Sequence, residues 1–248
     1  MPIKRLIYIS IALFVLFFIL GFPASAVWRH IAARSSGLEL VGVSGTVWRG
    51  RADQVRWQLD PLGELYWQWQ PAWPPYWTTQ VQGPLLNAEA NVHVGNGAIK
   101  LSDIQARWPA LLMRSPVPDT RLDGEFIAQL DTFEWLEQQP QRISGTIQWH
   151  NARITAPVVV ELGQVQISIT TAQAGIILLQ VNSLGGGTLN VNGAGQVGNG
   201  RYQLNLHLRA LDLNSNINQW LRLLGEPTSD GSVRIELSGP LHNATATG

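Results

Sequence analysis

Apolar and polar residues alternate along several stretches of strand length. The clearest runs from Arg201 to Ala210, where Tyr, Leu, Leu, Leu and Ala alternate with Arg, Gln, Asn, His and Arg. Similar stretches run from Leu86 to Val94 and from Leu122 to Leu130. Because side chains of a strand point alternately to the two faces of a sheet, this period predicts strands with one wet face. The chain is therefore predicted to be mainly β, with antiparallel, curved sheets and a few short helices.

Glycine and proline punctuate these strands. Gly95-Asn96-Gly97 predicts a hairpin between the strand at 86–94 and a second strand at 98–106. The segment 70–76 contains three prolines, which exclude a central strand and predict a turn or linker. The glycine-rich run 185–200 lacks the Lys-Ser/Thr of a phosphate loop, so its glycines indicate turns.

The stretch from Leu213 to Leu224 changes to a helical period. Its apolar residues fall at offsets of 0, 4, 7, 8 and 11, which places them on one face of a helix. Gly225 follows at the position of a C-terminal cap. We expect this stripe to close the open end of the sheet, with Trp220 as its largest buried contact.

A second short helix is predicted at Asp131–Gln138. Phe133 and Leu136 would point inward from one or two helical turns, and Asp131 would cap the first turn. The order of strand, glycine turn, strand and short apolar helix thus occurs at least twice. This repetition suggests two similar sub-units, 35–118 and 119–248.

The N-terminal segment contains one long apolar run. Leu6–Phe22 has 17 residues without a charge and follows Lys4 and Arg5. That length lies at the lower limit of a membrane-spanning helix and exceeds the usual apolar region of a signal peptide. Ala24-Ser25-Ala26 has the form of a cleavage site, so a removed signal peptide is the alternative. Residues 1–34 are interpreted as a cytoplasmic N-terminus, a transmembrane anchor and a membrane-proximal segment, followed by a β-rich domain at 35–248.

Composition removes several classes of function. Lys plus Arg and Asp plus Glu number 17 each, and this balance argues against a nucleic-acid binder, which needs a basic surface. Cysteine is absent, so disulfides, thiolate metal sites and thiol nucleophiles are excluded. Seven of the 11 tryptophans precede residue 78. They indicate packing within small sheets, and an aromatic surface for a partner or for lipid headgroups is the alternative.

The sequence shows no arrangement of catalytic residues. Each of the five histidines lacks a second His or a carboxylate at the spacing of a metal site. Asp119, Asp123 and Glu125 follow the polar face of a predicted strand and are interpreted as solvated. A Gly-x-Ser-x-Gly elbow is also missing from the sequence. We therefore expect no catalytic residue, no cofactor and no metal, and we expect that the protein is not an enzyme.

One motif stands out between Leu40 and Trp57, which reads LVGVSGTVWRGRADQVRW. Its pattern is Gly-x-x-Gly-Thr-x-Trp-x-Gly, and it predicts a strand, a bend where backbone approaches backbone, and a second strand. We expect its glycines to be structural positions and its Thr and Trp to share one strand face. A weaker echo occurs at Ile143–Ile154. The motif residues are Gly42, Gly45, Thr46, Trp48 and Gly50.

A single apolar segment, a Pro23-Ala24 pair and then this motif make the chain resemble the protein N family of the bacterial type II secretion system. The resemblance implies an uncleaved, single-pass anchor at Leu6–Phe22 in the inner membrane, with the bulk of the chain in the periplasm. It also implies an accessory role in exporting folded proteins across the outer membrane, through contacts with other type II secretion proteins. No catalytic residue is implied.

A different class of function competes with this one. Strands with an apolar face and the amphipathic stretch at Leu213–Leu224 resemble AsmA-like lipid-handling proteins, in which a curved apolar sheet carries alkyl chains. Lipid is then a ligand of the β domain. A sheet whose apolar face is covered by its own helices favours the secretion role, and an open apolar trough favours lipid handling.

Overall fold

The computed structural model describes residues 2–32, 38–57, 60–95, 98–113, 119–136, 139–173, 175–211 and 215–240. The chain divides into two compact units, Met1–Pro84 and Leu85–Gly248. This boundary falls inside the first of the two sub-units, 35–118 and 119–248, that the repeated pattern suggested. Residues 1–34, which the sequence predicts to contain the anchor, fall within the first unit.

The first unit contains two helices followed by a small antiparallel sheet. β1 and β2 both pair with β3, and β3, β4 and β5 then follow one another across the sheet. Among the helices of the described residues, none has the combination of length and hydropathy that a membrane crossing requires. The elements are α1 (Pro2–Leu20), α2 (Ala24–Ala32), β1 (Leu38–Val41), β2 (Ser44–Gly45), β3 (Arg49–Trp57), β4 (Asp60–Gln70) and β5 (Tyr76–Gln82).

The second unit contains one antiparallel meander, a 3₁₀ helix and a short α-helix. Its strands are β6 (Asn87–Gly95), β7 (Ala98–Pro109), β8 (Arg121–Leu136), β9 (Gln139–Ala156), β10 (Val160–Gln173), β11 (Ile176–Gly185), β12 (Leu189–Gly198), β13 (Arg201–Ala210), β14 (Glu226–Pro227) and β15 (Val233–Pro240). The 3₁₀ helix spans Ala110–Leu112 and α3 spans Ser215–Leu224. From β6 to β13 each strand pairs with the next one along the chain, and β15 then pairs with both β13 and β14.

The hydrophobic core of the second unit lies on one face of this sheet. On α3 the buried side chains are Ile217, Trp220 and Leu221, and the helix packs against β13 and β15. The rings of Phe126 and Trp149 stack at a centroid distance of 5.2 Å and extend the core toward β8 and β9. Every second residue of each strand therefore points into the core, as the period-two pattern of the sequence predicts.

Several predicted elements are confirmed. The hairpin predicted at residues 86–106 is β6 and β7, with Gly95 paired to Ala98. The strand predicted from Arg201 to Ala210 is β13, and the chain is mainly β with an antiparallel sheet. The helix predicted at Leu213–Leu224 is α3, and the Gly225 N–H donates to the carbonyl of Leu221 at 3.3 Å, as expected of a C-terminal cap. The asparagines and the serine at 214–218 favour a start near Asn214 or Ser215, and α3 begins at Ser215.

The predicted helix at Asp131–Gln138 is wrong over its described part. Residues 131–136 continue β8, and Phe133 pairs with Leu101 of β7 on one side and with Ile143 of β9 on the other. A short segment between two neighbouring strands gains backbone hydrogen bonds on both edges, although the pairing with β9 has irregularities between Leu130 and Thr132 and between Glu134 and Trp135. That gain outweighs the weak helical preference of a few residues.

Candidate functional site

The Gly42–Gly50 motif forms a tight reversal between β2 and β3. The Thr46 N–H donates to the carbonyl of Arg49 at 2.9 Å, and the Arg49 N–H donates to the Thr46 hydroxyl oxygen at 3.2 Å. Thr46–Trp48 is therefore a turn, and the expectation that Thr46 and Trp48 lie on one face of a strand is wrong. A threonine hydroxyl that bonds to nearby backbone stabilises such a turn in preference to an extended ladder.

The glycines of the motif lie where backbones approach closely. Gly45 has a φ of 88°, and a Cβ on it would lie 2.6 Å from the Arg49 oxygen and 2.7 Å from the Gly50 Cα. A Cβ on Gly50 would meet the ring of Trp67 and would lie 2.5 Å from the Ser44 oxygen. The two strands of this hairpin therefore leave no room for side chains at Gly45 and Gly50.

Tryptophans from the neighbouring strands bind the turn from one side. The indole N–H of Trp67 on β4 donates to the carbonyl of Thr46 at 3.0 Å. The indole N–H of Trp77 on β5 donates to the carbonyl of Val47, also at 3.0 Å. Two of the tryptophans before residue 78 therefore act as hydrogen-bond donors. Their indole N–H groups bind the carbonyls of Thr46 and Val47, which no strand partner reaches.

Trp48 links the motif to the first helix. Its indole N–H donates to the carbonyl of Ile19 at 2.8 Å, and its ring packs edge-on against Trp69 at a centroid distance of 5.4 Å. The Ile19 carbonyl belongs to the last turn of α1, and it also accepts a hydrogen bond from the Phe22 N–H at 3.3 Å. The Val47 N–H also donates to the carbonyl of Phe22 at 3.0 Å. The motif thus caps the C-terminal end of α1.

Replacing Trp48 by Phe is expected to lower the free energy of unfolding by about 1 kcal/mol, the usual contribution of one hydrogen bond. Phe retains an aromatic ring beside Trp69 and removes the donor to Ile19. Chemical denaturation of the full chain in detergent measures the change. Trp69→Phe is the matched control. It replaces the other indole of the Trp48–Trp69 pair by a smaller ring and leaves the hydrogen bond from Trp48 to Ile19 intact. Equal losses in both variants would show that ring contact alone matters.

A polar groove of about 320 Å³ lies on the face of β3–β5 that carries Arg49, Gln68 and Gln80. Within it the Tyr66 hydroxyl donates a short hydrogen bond to the Glu64 carboxylate, and this bond raises the pKa of Tyr66 above its ordinary value. The tyrosine therefore stays protonated and acts as a donor.

Of the carboxylates and histidines considered in the sequence, Glu125 on β8 pairs directly with His150 on β9, but they form no larger cluster among the described residues. There, no three His, Cys, Asp or Glu side chains lie close enough to hold a metal ion. Asp123 accepts a hydrogen bond from the Gly124 N–H at 2.8 Å, and Glu125 lies 3.6 Å from Arg107. These carboxylates have local structural partners at the edge of β8.

A second candidate surface is the apolar face of the meander beyond the core. Directly opposed residues of antiparallel strands point to the same face, so the register defines rows across the sheet. One row consists of four aliphatic residues and one glycine, of which Ile169 is buried and the others are half-buried: Ile169, Leu179, Gly195, Leu204 and Leu237. The next consists of Thr171, Ile177, Val197, Tyr202 and Gly239.

These rows extend past the helices that cover the core. α3 packs against β13 and β15, and the 3₁₀ helix packs against β8. Ile177, Leu179, Val197 and Tyr202 are half-buried and lie outside the core cluster and the residues that pack against it. In this part of the described chain, the apolar face of the sheet therefore extends beyond the area that α3 and the 3₁₀ helix cover.

Comparison with known proteins identifies the family. The family described as "Type II secretion system (T2SS), protein N" matches residues 36–236, which include the whole Gly42–Gly50 motif. The chain belongs to this family. A type II secretion system protein N of Vibrio cholerae serotype O1 is 28% identical over 156 residues, which cover 58% of this chain and 61% of the Vibrio protein.

A second protein N, from Aeromonas hydrophila, is 25% identical over 172 residues, or 65% of this chain and 68% of that protein. The chain therefore matches about three fifths of the length of its Vibrio relative and two thirds of its Aeromonas relative. No solved structure matches. The resemblance to the protein N family that the motif suggested is confirmed.

Sequence reasoning selected the residues of the protein N motif but missed their contacts. The bond from Trp48 to Ile19 joins residues 29 positions apart, and the bond from Trp77 to Val47 joins residues 30 apart. The periodicity of apolar residues predicts local secondary structure and does not predict contacts between residues so far apart in the sequence. The useful signal was the excess of tryptophan, because an indole buried in a small sheet needs an acceptor for its N–H.

Proposed function

We propose that this member of the protein N family is an accessory inner-membrane component of the type II secretion system. It supports the export of folded proteins across the outer membrane through contacts with other proteins of the system, and it performs no catalysis. The hydrogen-bonded attachment of the motif to the end of α1 carries this proposal. It fixes a β domain at the end of a helix whose Phe14 and Phe17 are 72% and 69% exposed.

The proposed topology is a single membrane pass through Leu6–Phe22, with residues 35–248 in the periplasm. Side chains as apolar and exposed as those of α1 require a non-aqueous partner, and a bilayer supplies one. The carbonyl groups of Ile19 and Phe22 accept hydrogen bonds from the motif. Cleavage after Ala26 would remove both acceptors, so the packing of the first unit supports an anchor that is retained.

The anchored chain is expected to restore export in a strain that lacks it, and a released chain is expected to fail. The released form carries a cleavable signal peptide in place of residues 1–26, so that it begins at Val27 in the periplasm. The amount of a type II substrate in the medium measures export. The N-terminus of the chain recovered from membranes should retain Leu6–Phe22.

Three results would contradict this proposal. A natural mature chain that starts at Val27 would overturn the anchor. Full export from the released form would overturn the need for the membrane. Normal export in the strain without the protein would overturn the accessory role itself.

A second candidate function is lipid handling by the second unit, and the uncovered apolar rows favour it. Leu179 lies on this face, and its neighbour Leu178 points to the opposite face and is 42% exposed. If alkyl chains bind along the rows, Leu179→Gln is expected to reduce the lipid that co-purifies with the chain. Leu178→Gln is the matched control and should retain it. Lipid extraction and mass spectrometry make the measurement, and equal lipid in both variants would contradict lipid handling.

A further inference from the structure

The strand β15 of the second unit has an outer edge that is largely without a partner. On its inner side, β15 pairs with β13 from Val233 to Pro240. On its outer side, within the described residues, β14 pairs with Val233 and Arg234 alone. The outer edge of β15 is therefore open from Glu236 to Pro240.

A hydrogen bond beside β13 shows which backbone groups of β15 bind that strand. The Leu211 N–H donates to the carbonyl of Thr188 at 2.8 Å, one register position beyond the pair of Leu189 and Ala210. Backbone groups of an antiparallel strand point alternately to its two neighbours, so the odd-numbered residues of β13 bind β12 and its even-numbered residues bind β15. Their partners on β15 carry odd numbers.

A second hydrogen bond, on the outer side of β15, leads to the same assignment. The Thr228 N–H donates to the carbonyl of Ser232 at 2.8 Å. Even-numbered residues of β15 therefore direct their backbone groups outward. Past the end of β14, the outward groups are the N–H and C=O of Glu236 and Ser238 and the C=O of Pro240.

This open edge lacks most of the features that protect edge strands. Its pairing with β13 runs without a bulge, and its sequence VRIELSGP contains no lysine. The carboxylate of Glu236 forms an ion pair with Arg234 on the same strand, which reduces its repulsion of a neighbour. Pro240 limits pairing at the end of the strand. Such an edge is a template for an added strand, which would bind the outward groups.

Both faces of the sheet continue to this edge. Leu237 is half-buried on the apolar face, in the row that contains Leu204 and Leu179. Glu236 and Ser238 are exposed on the polar face. A segment whose apolar residues alternate with polar ones would therefore extend both faces by one strand.

A second copy of the chain is a poor partner for this edge. Because the outward groups belong to even-numbered residues, a symmetric antiparallel pair has few registers. With Glu236 opposite itself, two carboxylates would repel each other. With Glu236 opposite Ser238, Pro240 would need the position beside Arg234 that β14 occupies. With Glu236 opposite Pro240, the carbonyl of Glu236 would lack a donor, since proline has no N–H.

We infer that this edge binds an extended segment of another protein, which pairs with residues 236–240 as an added strand. The segment has apolar residues that alternate with polar ones, and the residue opposite Glu236 is neither acidic nor a proline. The inference rests on the proposed role through protein contacts and assigns one of those contacts to β15. An added strand takes its hydrogen bonds from the backbone, so removing one backbone donor tests it directly.

Replacing Ser238 by Pro removes one outward N–H and leaves the hydrogen bonds to β13 in place. Proline is tolerated on an edge strand when its nitrogen faces solvent, so the full chain should unfold at nearly the same temperature as the unaltered chain. In a strain that carries this variant as its single copy, we expect about a tenfold loss of type II substrate from the medium, because a partner carbonyl is left unpaired. Ser238→Ala is the matched control. It keeps the N–H and should support normal export.

A photoreactive side chain at Glu236 of the full chain, in living cells, identifies the occupant. We expect an adduct that mass spectrometry locates in one extended segment of another protein, and we expect Ser238→Pro to remove it. Gln180 is the matched control position and should give no such adduct, because it is exposed in the same row of the polar face, three strands inward. A synthetic peptide of the labelled segment should bind the purified chain in detergent, and Ser238→Pro should weaken this binding about tenfold.

Several results would overturn the inference. An adduct on a second copy, or on residues 241–248 of the same chain, would give the edge a different occupant. Unchanged export and labelling in Ser238→Pro would show that no added strand binds there, and the secretion role would stand if a strain without the protein fails to export. Normal export without the protein would overturn both. If Ser238→Pro does not fold, equal labelling from Glu236 and Gln180 would overturn the inference, and labelling from Glu236 alone would support it.

Discussion

Replacing Trp220 by Ala is expected to lower the free energy of unfolding by about 3–5 kcal/mol, as for other buried aromatic side chains. Trp220 is 7% exposed and belongs to the core cluster of the second unit. It lies on α3 beside Leu221, which is 2% exposed, and the helix packs against β13 and β15. Truncation would leave a cavity between the helix and the sheet that these rigid strands cannot close.

Thermal and chemical unfolding of the full chain measure this loss. Leu223→Ala is the matched control on the same helix, because Leu223 is 81% exposed and its truncation should change the free energy of unfolding little.

The stability and lipid content of Trp220→Ala also separate the two candidate functions. If Trp220→Ala unfolds like the unaltered chain but loses co-purifying lipid, α3 is a lid over a lipid site. The lipid-handling function would then replace the secretion role as the better supported one.

Replacing Gly45 by Val is expected to destabilise the first unit by about 1–3 kcal/mol. Two costs combine at this position. The φ of 88° lies in the left-handed region, which a β-branched residue rarely adopts. A Cβ would also meet the backbone of Arg49 and Gly50 at 2.6 and 2.7 Å, and backbone atoms in a hairpin cannot move aside without breaking pairs.

Gly200→Val separates these two costs. Gly200 has a φ of 69°, also left-handed, but a Cβ there would have no atom within 4 Å. It therefore measures backbone strain alone, and Gly45→Val should be clearly the more destabilising of the two. Hydrogen exchange of the β2–β3 amides locates the damage. Equal losses in the two variants would show that the close approach at Gly45 contributes nothing.

The sequence predicted the strands well wherever a clean alternation had turn residues on both sides. β13 lies between glycine turns and the α3 segment, and its residues keep a strict period of two from Arg201 to Ala210. The hairpin of β6 and β7 has the same signals. Both depend on local information, because alternation sets which face is buried and the turn residues set where the strand ends.

The errors arose where the structure depends on distant partners. Residues 131–136 contain Phe133 and Leu136 at a spacing that fits a helix, yet β7 and β9 hold them in a strand. The two-residue period also predicts a strand at Thr46–Trp48, where the structure has a turn, for a related reason. Its three carbonyl groups bind donors on β4 and β5, and no local pattern reveals those donors.

The sequence predicted the residues of the candidate site but not their contacts with distant parts of the chain. The motif glycines were selected from their spacing alone, and their crowding in the β2–β3 hairpin agrees with a structural role for them. The attachment of Trp48 to Ile19 could not be foreseen, because it joins a helix end to a turn across 29 residues.

The meander of the second unit has a consequence for how the protein reaches its native state. From β7 to β13 every strand pairs with its immediate predecessor, so each pairing closes a short loop. Low sequence separation between contacting residues is associated with rapid folding. A chain that emerges N-terminus first can therefore add one hairpin at a time, before its C-terminal residues are available. The growing edge of the sheet is exposed until β14 and β15 arrive, which makes a stalled or truncated chain prone to pair with another copy.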